Sequence, residues 1–177
     1  MKLIILDRDG VINYDSDDCI KSEEEWQPIP GSLEAIGRLC NHGYHIVVVT
    51  NQAGLAHNKL SIEDLMCIHR RMHTQVARFR GSIEAVFFCP HAEDEDCRCR
   101  KPKPGMLNDV SRRLRVPLDN VTFIGDKHSD VEAGQAAGCS PVLVKTGYGR
   151  SHIEAGRIPD TVPVYNNLSE YVEELLA

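Results

Sequence analysis

Two aspartates near the start of the chain, Asp7 and Asp9, are the residues best suited to carry out chemistry. They follow the apolar run Leu3–Leu6, which predicts a buried strand. Since residues i and i+2 of a strand point the same way, both carboxylates should leave the strand end side by side. Two like charges this close are unfavourable unless a cation lies between them or one carries a proton. The pair therefore indicates a cation site or a proton-transfer site.

Polar residues also follow two later apolar runs: Thr50, Asn51 and Gln52 after one, Asp126 and Lys127 after the other. In parallel sheets such strand ends meet at the edge where ligands bind. Carboxylates, a hydroxyl and lysines at one edge fit phosphoryl chemistry, with Mg²⁺ as the oxygen-preferring cation. An aspartate can itself attack phosphorus, and a second one can transfer the protons.

A second cluster combines Cys89 and His91 with Cys97 and Cys99. Three thiolates and one imidazole in two closely spaced pairs make a complete tetrahedral set of Zn²⁺ ligands. Because no coordination position is left for water, we expect this zinc site to be structural and to stiffen a loop insertion.

The apolar runs alternate with stretches of helical periodicity. This pattern predicts an α/β fold, a three-layer, Rossmann-like parallel sheet flanked by helices, and one domain over residues 1–177. Ser32 is predicted to cap the first helix, and Ser61 a later helix whose apolar face runs to Phe79. The polar segment 12–30 is expected to lie above the carboxylate pair and to cover the site or select the substrate.

Two histidines on the helix that begins near Ser61, His69 and His73, lie four residues apart, a spacing that can bind metal. No glutamate follows His69 as a zinc-protease motif requires. We interpret both as part of an exposed or half-buried helix face.

Composition limits the class of partner. The formal net charge of −6 argues against a nucleic-acid binder, and no apolar run approaches the roughly 20 residues needed to cross a bilayer. The N-terminus lacks the pattern of a secretory signal, so we expect a cytoplasmic protein whose seven cysteines stay reduced. We also expect a monomer with a small-molecule substrate.

In four motifs the chain resembles the haloacid dehalogenase-like phosphatases. These motifs are Asp7-Arg8-Asp9-Gly10-Val11, Thr50-Asn51-Gln52, the Arg100-Lys101 region, and Gly125-Asp126-Lys127 with Asp130. The resemblance runs over nearly the whole chain and implies that no separate cap domain is present.

The resemblance implies roles for these residues. Asp7 would be the nucleophile and Asp9 the general acid/base. Mg²⁺ would be held by Asp7, the Asp9 backbone carbonyl and Asp126. Thr50 and the Asn51 backbone would hold the phosphate.

The resemblance also assigns a lysine that stabilises the phosphate charge. Lys101 is preferred over Lys103 because the family pattern places it directly after Cys-Arg, and Asp130 would orient this lysine or a metal-bound water. Arg8, Gln52 and Lys127 complete the predicted phosphate- and substrate-binding set.

The cysteine-rich loop narrows the resemblance to the branch that acts on heptose bisphosphates and removes the 7-phosphate. In that branch Arg100 would contact a substrate phosphate, and the segment Asp15–Asp18 would face the sugar, with Asp15 and Asp18 as ligands. Phosphatases of histidinol phosphate are the nearest alternative, because they share the fold, the pair of aspartates and a similar zinc loop. Their cationic substrate would also suit the acidic segment. A phosphoacceptor signalling domain and a non-catalytic zinc module explain fewer of the motifs.

Overall fold

A computed structural model describes residues 1–177 and contains one six-stranded sheet. The strands are β1 (Lys2–Leu6), β2 (Tyr44–Asn51), β3 (Ala85–Cys89), β4 (Thr122–Gly125), β5 (Ser140–Val144) and β6 (Val164–Tyr165). Their order across the sheet is β3-β2-β1-β4-β5-β6, and all neighbours pair in parallel.

Six helices connect and follow the strands. They are α1 (Ser32–Asn41), α2 (Ile62–Ala77), α3 (Gly105–Leu114), α4 (His128–Ala137), α5 (Gly149–Glu154) and α6 (Leu168–Leu175). The bounds of α3 agree with the helix that the sequence predicts over residues 105–114.

The sheet has a separate apolar core on each face. Ile4 and Leu6 of β1 pack with residues of α1, α2 and α6, whereas Leu3 and Ile5 pack with residues of α3 and α4. This alternation follows from the two-residue period of a strand, and it makes both faces of the sheet apolar. The predicted three-layer α/β fold is confirmed.

The region after β1 contains no additional folded unit. Residues 12–30 form neither a helix nor a strand of the sheet, and only isolated bridges join Asn13 to Asp9 and Pro28. The prediction that no separate cap domain is present is therefore confirmed. None of the helices is long and apolar enough to cross a membrane.

Several local predictions differ from the structure. Ser32 is not the cap of α1, because Gly31 occupies that position with a φ of +84°, and the Ser32 hydroxyl donates to the Val11 carbonyl at 2.8 Å. Phe79 lies beyond the end of α2 and is exposed. Ser61 does cap α2, in a capping box with Asp64.

Candidate active site

Three neighbouring strands bring the predicted residues to one edge of the sheet. Asp7 directly follows the central strand β1, and its backbone N–H donates to the Ile124 carbonyl of β4 at 2.8 Å. Thr50 lies near the end of β2 on one side, and Asp126 directly follows β4 on the other. The predicted convergence of these groups at the carboxyl ends of the strands is confirmed.

Lys101 is buried between two carboxylates. Its Nζ lies 2.9 Å from Asp7 Oδ1 and 2.7 Å from Asp130 Oδ1, and it donates to the Val49 carbonyl at 3.0 Å. Burial alone would lower the pKa of Lys101, but the carboxylates of Asp130 and Asp7 outweigh burial and raise that pKa. Lys103 is half exposed and forms an ion pair with Asp96 on the surface. Of the two candidate lysines, only Lys101 lies beside Asp7.

The carboxylates around Lys101 carry more negative charge than the lysine can balance. Asp7, Asp126 and Asp130 are buried and offer oxygen atoms within 4.8 Å of one another. Asp126 Oδ2 accepts from the Tyr148 N–H at 2.8 Å, but its Oδ1 is buried without a partner. Burial raises the pKa of Asp7 to about 6 against the opposing effect of Lys101, and it raises the pKa of Asp126 well above its usual range. These residues fit Mg²⁺, which prefers oxygen ligands and would neutralise them.

Asp9 is held by four hydrogen bonds. Arg8 donates from Nε to Oδ1 at 3.0 Å and from Nη2 to Oδ2 at 3.1 Å. Asn13 donates to Oδ1 at 2.9 Å and Gln52 donates to Oδ2 at 3.0 Å. Burial opposes ionisation, but the Arg8 charge and the Asn13 hydrogen bond outweigh it and lower the pKa of Asp9. The carboxylate still has 14% of its surface exposed, toward the site.

A substrate contact through the side chain of Arg8, one of the predicted substrate-binding residues, is not supported by the structure. That side chain has no exposed surface, and its guanidinium is directed away from solvent onto Asp9 and His69. The interpretation of His69 as an exposed or half-buried residue is wrong, since it is only 5% exposed. His73, one turn further along α2, is exposed.

The residues that follow β2 are joined to one another and to Lys101. The Asn51 side chain accepts from the Lys101 N–H and donates to the Lys101 carbonyl, both at 3.1 Å. The Gln52 amide nitrogen donates to Thr50 Oγ1 at 3.0 Å as well as to Asp9. Both donors of the Gln52 amide group are thus bonded to residues of the site itself. Thr50 faces the space beside Asp7 and Lys101.

The predicted zinc ligands lie together. Cys89 Sγ is 3.7 Å from Cys97 Sγ and 3.1 Å from Cys99 Sγ, and His91 Nδ1 is 3.4 Å from Cys89 Sγ and 3.2 Å from Cys99 Sγ. Thiolates bound to one tetrahedral zinc would be roughly 3.8 Å apart, so the four donors are suitably arranged for Zn²⁺.

The cysteine cluster is directly connected to the active site. The Arg100 N–H donates to Cys97 Sγ at 3.4 Å, and Lys101 is the next residue. Arg100 Nη2 lies 3.0 Å from Glu93 Oε1, and the Arg100 side chain is 21% exposed. The loop thus carries one buried cation and one partly exposed cation to the site.

A polar cavity of about 420 Å³ opens above the carboxylates. Its lining includes the predicted residues Asp9, Asp15, Asn51, Gln52, Arg100, Lys101 and Lys127. Asp18 does not line it and is 65% exposed, so its predicted contact with substrate is not supported. Instead, Asp18 Oδ1 lies 2.7 Å from Lys59 Nζ, and Lys59 does line the cavity.

The acidity of the segment Asp15–Asp18 is largely compensated. Asp15 Oδ2 lies 2.7 Å from Lys127 Nζ, and Asp17 accepts a hydrogen bond from the Tyr148 hydroxyl. Asp18 pairs with Lys21 and with Lys59. Lysines therefore balance the charges of Asp15 and Asp18, whereas Asp17, which lines the cavity and is bonded only to a neutral hydroxyl, keeps its negative charge.

Sequence reasoning missed three residues that hold the site: Asn13, His69 and Tyr148. Asn13 and His69 act through side chains that come close only after folding. Tyr148 contacts Asp126 through its backbone N–H, which any residue type other than proline could supply. Only Asn13 had a usable signal, since it is a hydrogen-bonding residue four positions after Asp9.

Comparisons with known proteins identify the family. A family model described as HAD-hydrolase-like matches residues 98–171. D-glycero-beta-D-manno-heptose-1,7-bisphosphate 7-phosphatase from Pseudomonas putida KT2440 is 47% identical over 176 residues, which cover 99% of this chain and 100% of the relative. The chain belongs to the heptose-1,7-bisphosphate 7-phosphatase family.

Solved structures of this heptose-bisphosphate phosphatase family share the fold. The D,D-heptose 1,7-bisphosphate phosphatase of Bordetella bronchiseptica, complexed with magnesium and phosphate, is 46% identical with a TM-score of 0.97 and covers 99% of this chain and 98% of that one. The enzyme from Burkholderia thailandensis is 36% identical with a TM-score of 0.80, over 100% of this chain and 99% of that one.

Proposed function

We propose that this chain is a Mg²⁺-dependent phosphatase that removes the 7-phosphate of D-glycero-β-D-manno-heptose 1,7-bisphosphate, a step in the supply of heptose precursors for lipopolysaccharide or S-layer synthesis. One observation carries the proposal. Asp7, Lys101 and Asp126 lie buried together, in a chain that aligns end to end with relatives of that name. Mg²⁺ would be held by Asp7, the Asp9 carbonyl and Asp126, and when bound it supplies positive charge that offsets the phosphoryl oxygens.

In the first half-reaction Asp7 is the nucleophile. A carboxylate oxygen of Asp7 attacks phosphorus, the bond from phosphorus to the C7 oxygen of the sugar breaks, and an aspartyl-phosphate forms. Lys101, already 2.9 Å from Asp7, places its charge where the phosphoryl oxygens develop negative charge. Because Lys101 is fixed by Asp130 and the Val49 carbonyl, it does not need to reorganise.

Asp9 manages the protons in both half-reactions. It donates a proton to the departing sugar oxygen, and it then accepts one from the water that attacks the aspartyl-phosphate, which releases inorganic phosphate and restores Asp7. Asp9 is suited to this role because its exposed edge faces the cavity beside Asp7. Thr50 Oγ1 and the Asn51 backbone bind the transferred phosphoryl group.

The outer cavity selects a sugar bisphosphate. Arg100 and Lys127, which both line the cavity, provide positive charge for the phosphate that is retained, and Asp15 offers a carboxylate to sugar hydroxyls. Histidinol phosphate is the less favoured substrate, because the relatives that align with this chain over its whole length are named for heptose bisphosphate.

We propose Zn²⁺ as a structural ion held by Cys89, His91, Cys97 and Cys99. The close approach of the four donor atoms supports this ion. Because the Arg100 N–H donates to Cys97 Sγ, the ion would also help to hold Arg100 and Lys101 at the site. Four protein ligands leave no position for a reacting water.

A comparison of two substrates tests the proposed function. We expect the wild-type protein with Mg²⁺ to release phosphate from the β-anomer of heptose 1,7-bisphosphate with a kcat/KM at least about tenfold above that for histidinol phosphate. The Asp7→Asn variant should release none from either. Equal or better turnover of histidinol phosphate would contradict the proposal.

We further propose a single domain over residues 1–177 that acts as a monomer in the cytoplasm. The membership of all six strands in one sheet supports a single domain, and the absence of any disulfide among the seven cysteines fits a reducing compartment. Size-exclusion chromatography should give the elution volume of a 177-residue monomer, and elution as a dimer would contradict this proposal.

A further inference from the structure

Two buried residues with strong hydrogen-bonding groups, Arg8 and His69, have no part in the proposed reaction. Arg8 follows β1, and His69 lies in the middle of α2, 61 positions further along the chain. The Arg8 side chain has no exposed surface and His69 is 5% exposed. Buried charged and imidazole groups are costly unless they are paired, so their arrangement calls for a reason.

Arg8 contacts Asp9 in a way that restricts the carboxylate. Nε of the planar guanidinium donates to Oδ1 of Asp9 at 3.0 Å, and Nη2 reaches both carboxylate oxygens, Oδ1 at 2.9 Å and Oδ2 at 3.1 Å. Such a two-point contact fixes the plane of the carboxylate as well as its position. The edge of Asp9 that remains exposed is therefore set by where Arg8 lies.

His69 in turn holds the free end of Arg8. Arg8 Nη1 lies 3.2 Å from His69 Nε2, and because a guanidinium can only donate, Nε2 must be the unprotonated acceptor. Burial, and after it the Arg8 charge, lower the pKa of His69 to about 3, which keeps the ring neutral. The His69 ring also packs at a tilt against Phe88 of β3, with centroids 6.3 Å apart.

We propose that His69 is a positioning residue for the reaction: through Arg8 it fixes the orientation of the Asp9 carboxylate that transfers protons. The inference rests on the proposed function, which gives Asp9 that task. It also explains why a helix outside the cavity supplies a buried imidazole beneath the site. Neither His69 nor Arg8 touches the cavity, so their effect must pass through Asp9.

The test replaces the acceptor on His69 while keeping the bulk of the side chain. In H69L, Arg8 Nη1 loses its partner, and we expect kcat to fall about tenfold with KM within about twofold of wild type. H69Q places an amide oxygen near the position of Nε2 and should recover most of the lost kcat. H73L, on the exposed face of the same helix, is the matched control and should behave as wild type.

All rates should be measured well below the melting temperature of each variant, and H69M replaces H69L if leucine prevents folding. A kcat for H69L or H69M equal to that of wild type would overturn the inference, as would a loss that H69Q does not restore. The ratio of variant to wild-type kcat should also be measured with p-nitrophenyl phosphate. This makes the test independent of which natural substrate the enzyme prefers. A wild-type protein inactive on heptose bisphosphate but active on p-nitrophenyl phosphate would contradict the proposed function and leave the His69 comparison valid.

Discussion

At the scale of single residues, the site depends on where charge is buried. Lys101 and Lys103 are two residues apart, yet one is 3% exposed between two carboxylates and the other is 50% exposed on the surface. The sequence pattern favoured Lys101, and the structure places it beside Asp7 as expected. A buried cation so close to Asp7, the proposed nucleophile, acts in a low dielectric, where its charge has a large effect.

This difference predicts opposite outcomes for two similar substitutions. K101M removes the only cation in contact with Asp7, so we expect kcat to fall at least about 100-fold. K103M removes only a surface ion pair and should retain activity within about twofold. Steady-state kinetics with saturating Mg²⁺ would decide, and comparable losses in both variants would contradict the assignment.

Arg8 and His69 show what the sequence could not reveal. A charged residue between two aspartates is compatible with a ligand-binding role, and a histidine on a helix with arginines beside it is compatible with an exposed face. Their burial follows from the way α2 packs beneath the end of β1, which is a tertiary contact between distant residues. Local pattern carries no information on such a pairing.

The burial of His69 predicts a pH dependence of stability. Its pKa is about 3 in the folded protein and about 6.5 when unfolded, so the unfolded state binds the extra proton between these values. Above pH 6.5 the neutral His69 costs the folded state nothing, so its contribution to the free energy of unfolding is complete. That contribution is lost as the pH falls toward 3, because the unfolded state gains a proton that the folded state does not bind. Between pH 7 and 4, urea unfolding should show that wild type loses roughly 3 kcal/mol more of its free energy of unfolding than H69Q does. Parallel curves for the two proteins would contradict the buried neutral histidine.

At the scale of elements, the turn after β1 requires glycine for two reasons. Gly10 has a φ of +85°, and a Cβ at this position would lie 2.2 Å from Asp126 Oδ2. Gly43 has a similar φ of +80° after α1, but a Cβ there would meet no atom within 4 Å. A substitution at Gly43 would therefore cause backbone strain alone, whereas a substitution at Gly10 would also disturb the site.

We expect G10A and G43A each to lose about 1 kcal/mol of stability from the left-handed backbone. Only G10A should also displace Asp126, so its turnover should fall at least about tenfold and need a higher Mg²⁺ concentration. Chemical denaturation and Mg²⁺ titrations of activity measure the two effects. Full activity in G10A would show that the contact with Asp126 can relax.

The cysteine loop predicts a metal-dependent element. C97S removes a proposed zinc ligand that contacts the Arg100 N–H, so we expect loss of zinc by elemental analysis, faster proteolysis between residues 90 and 103, and reduced turnover. C67S, on α2, is the matched cysteine control and should keep zinc. Asp7→Asn should also keep zinc while turnover is lost. Retention of zinc by C97S would contradict the ligand set.

Periodicity predicted most elements because each helix and strand of the core buries a continuous apolar face. Two elements lie outside this alternation of apolar runs and helical stretches: α5 and β6, which are six and two residues long. Both are too short to show a hydrophobic period. They form by contact with β5, since β6 pairs with the edge of β5 and α5 packs against it. The prediction that Ser32 caps α1 is wrong for a different reason. The Ser32 hydroxyl donates a hydrogen bond to the Val11 carbonyl, which lies on another segment.

At the scale of the whole molecule, the fold gathers negative charge at one edge of a parallel sheet and supplies cations from two separate segments of the chain. Asp7 and Asp126 come from adjacent strands, Lys101 and Arg100 from the cysteine loop, and Lys127 from the start of α4. The sequence allowed this edge to be predicted, because parallel strands align their ends. It did not allow the pairing of the segment Asp15–Asp18 with nearby lysines and Tyr148 to be predicted.

The position of the bond that is cleaved tests the central claim most directly. The reaction of wild-type protein with the β-anomer of heptose 1,7-bisphosphate and Mg²⁺ should be followed by ³¹P nuclear magnetic resonance. We expect the signal of the 7-phosphate to disappear as inorganic phosphate grows, while the anomeric 1-phosphate signal persists and Asp7→Asn shows no change. Loss of the 1-phosphate first, or turnover by Asp7→Asn, would contradict the proposal that Asp7 attacks the 7-phosphate.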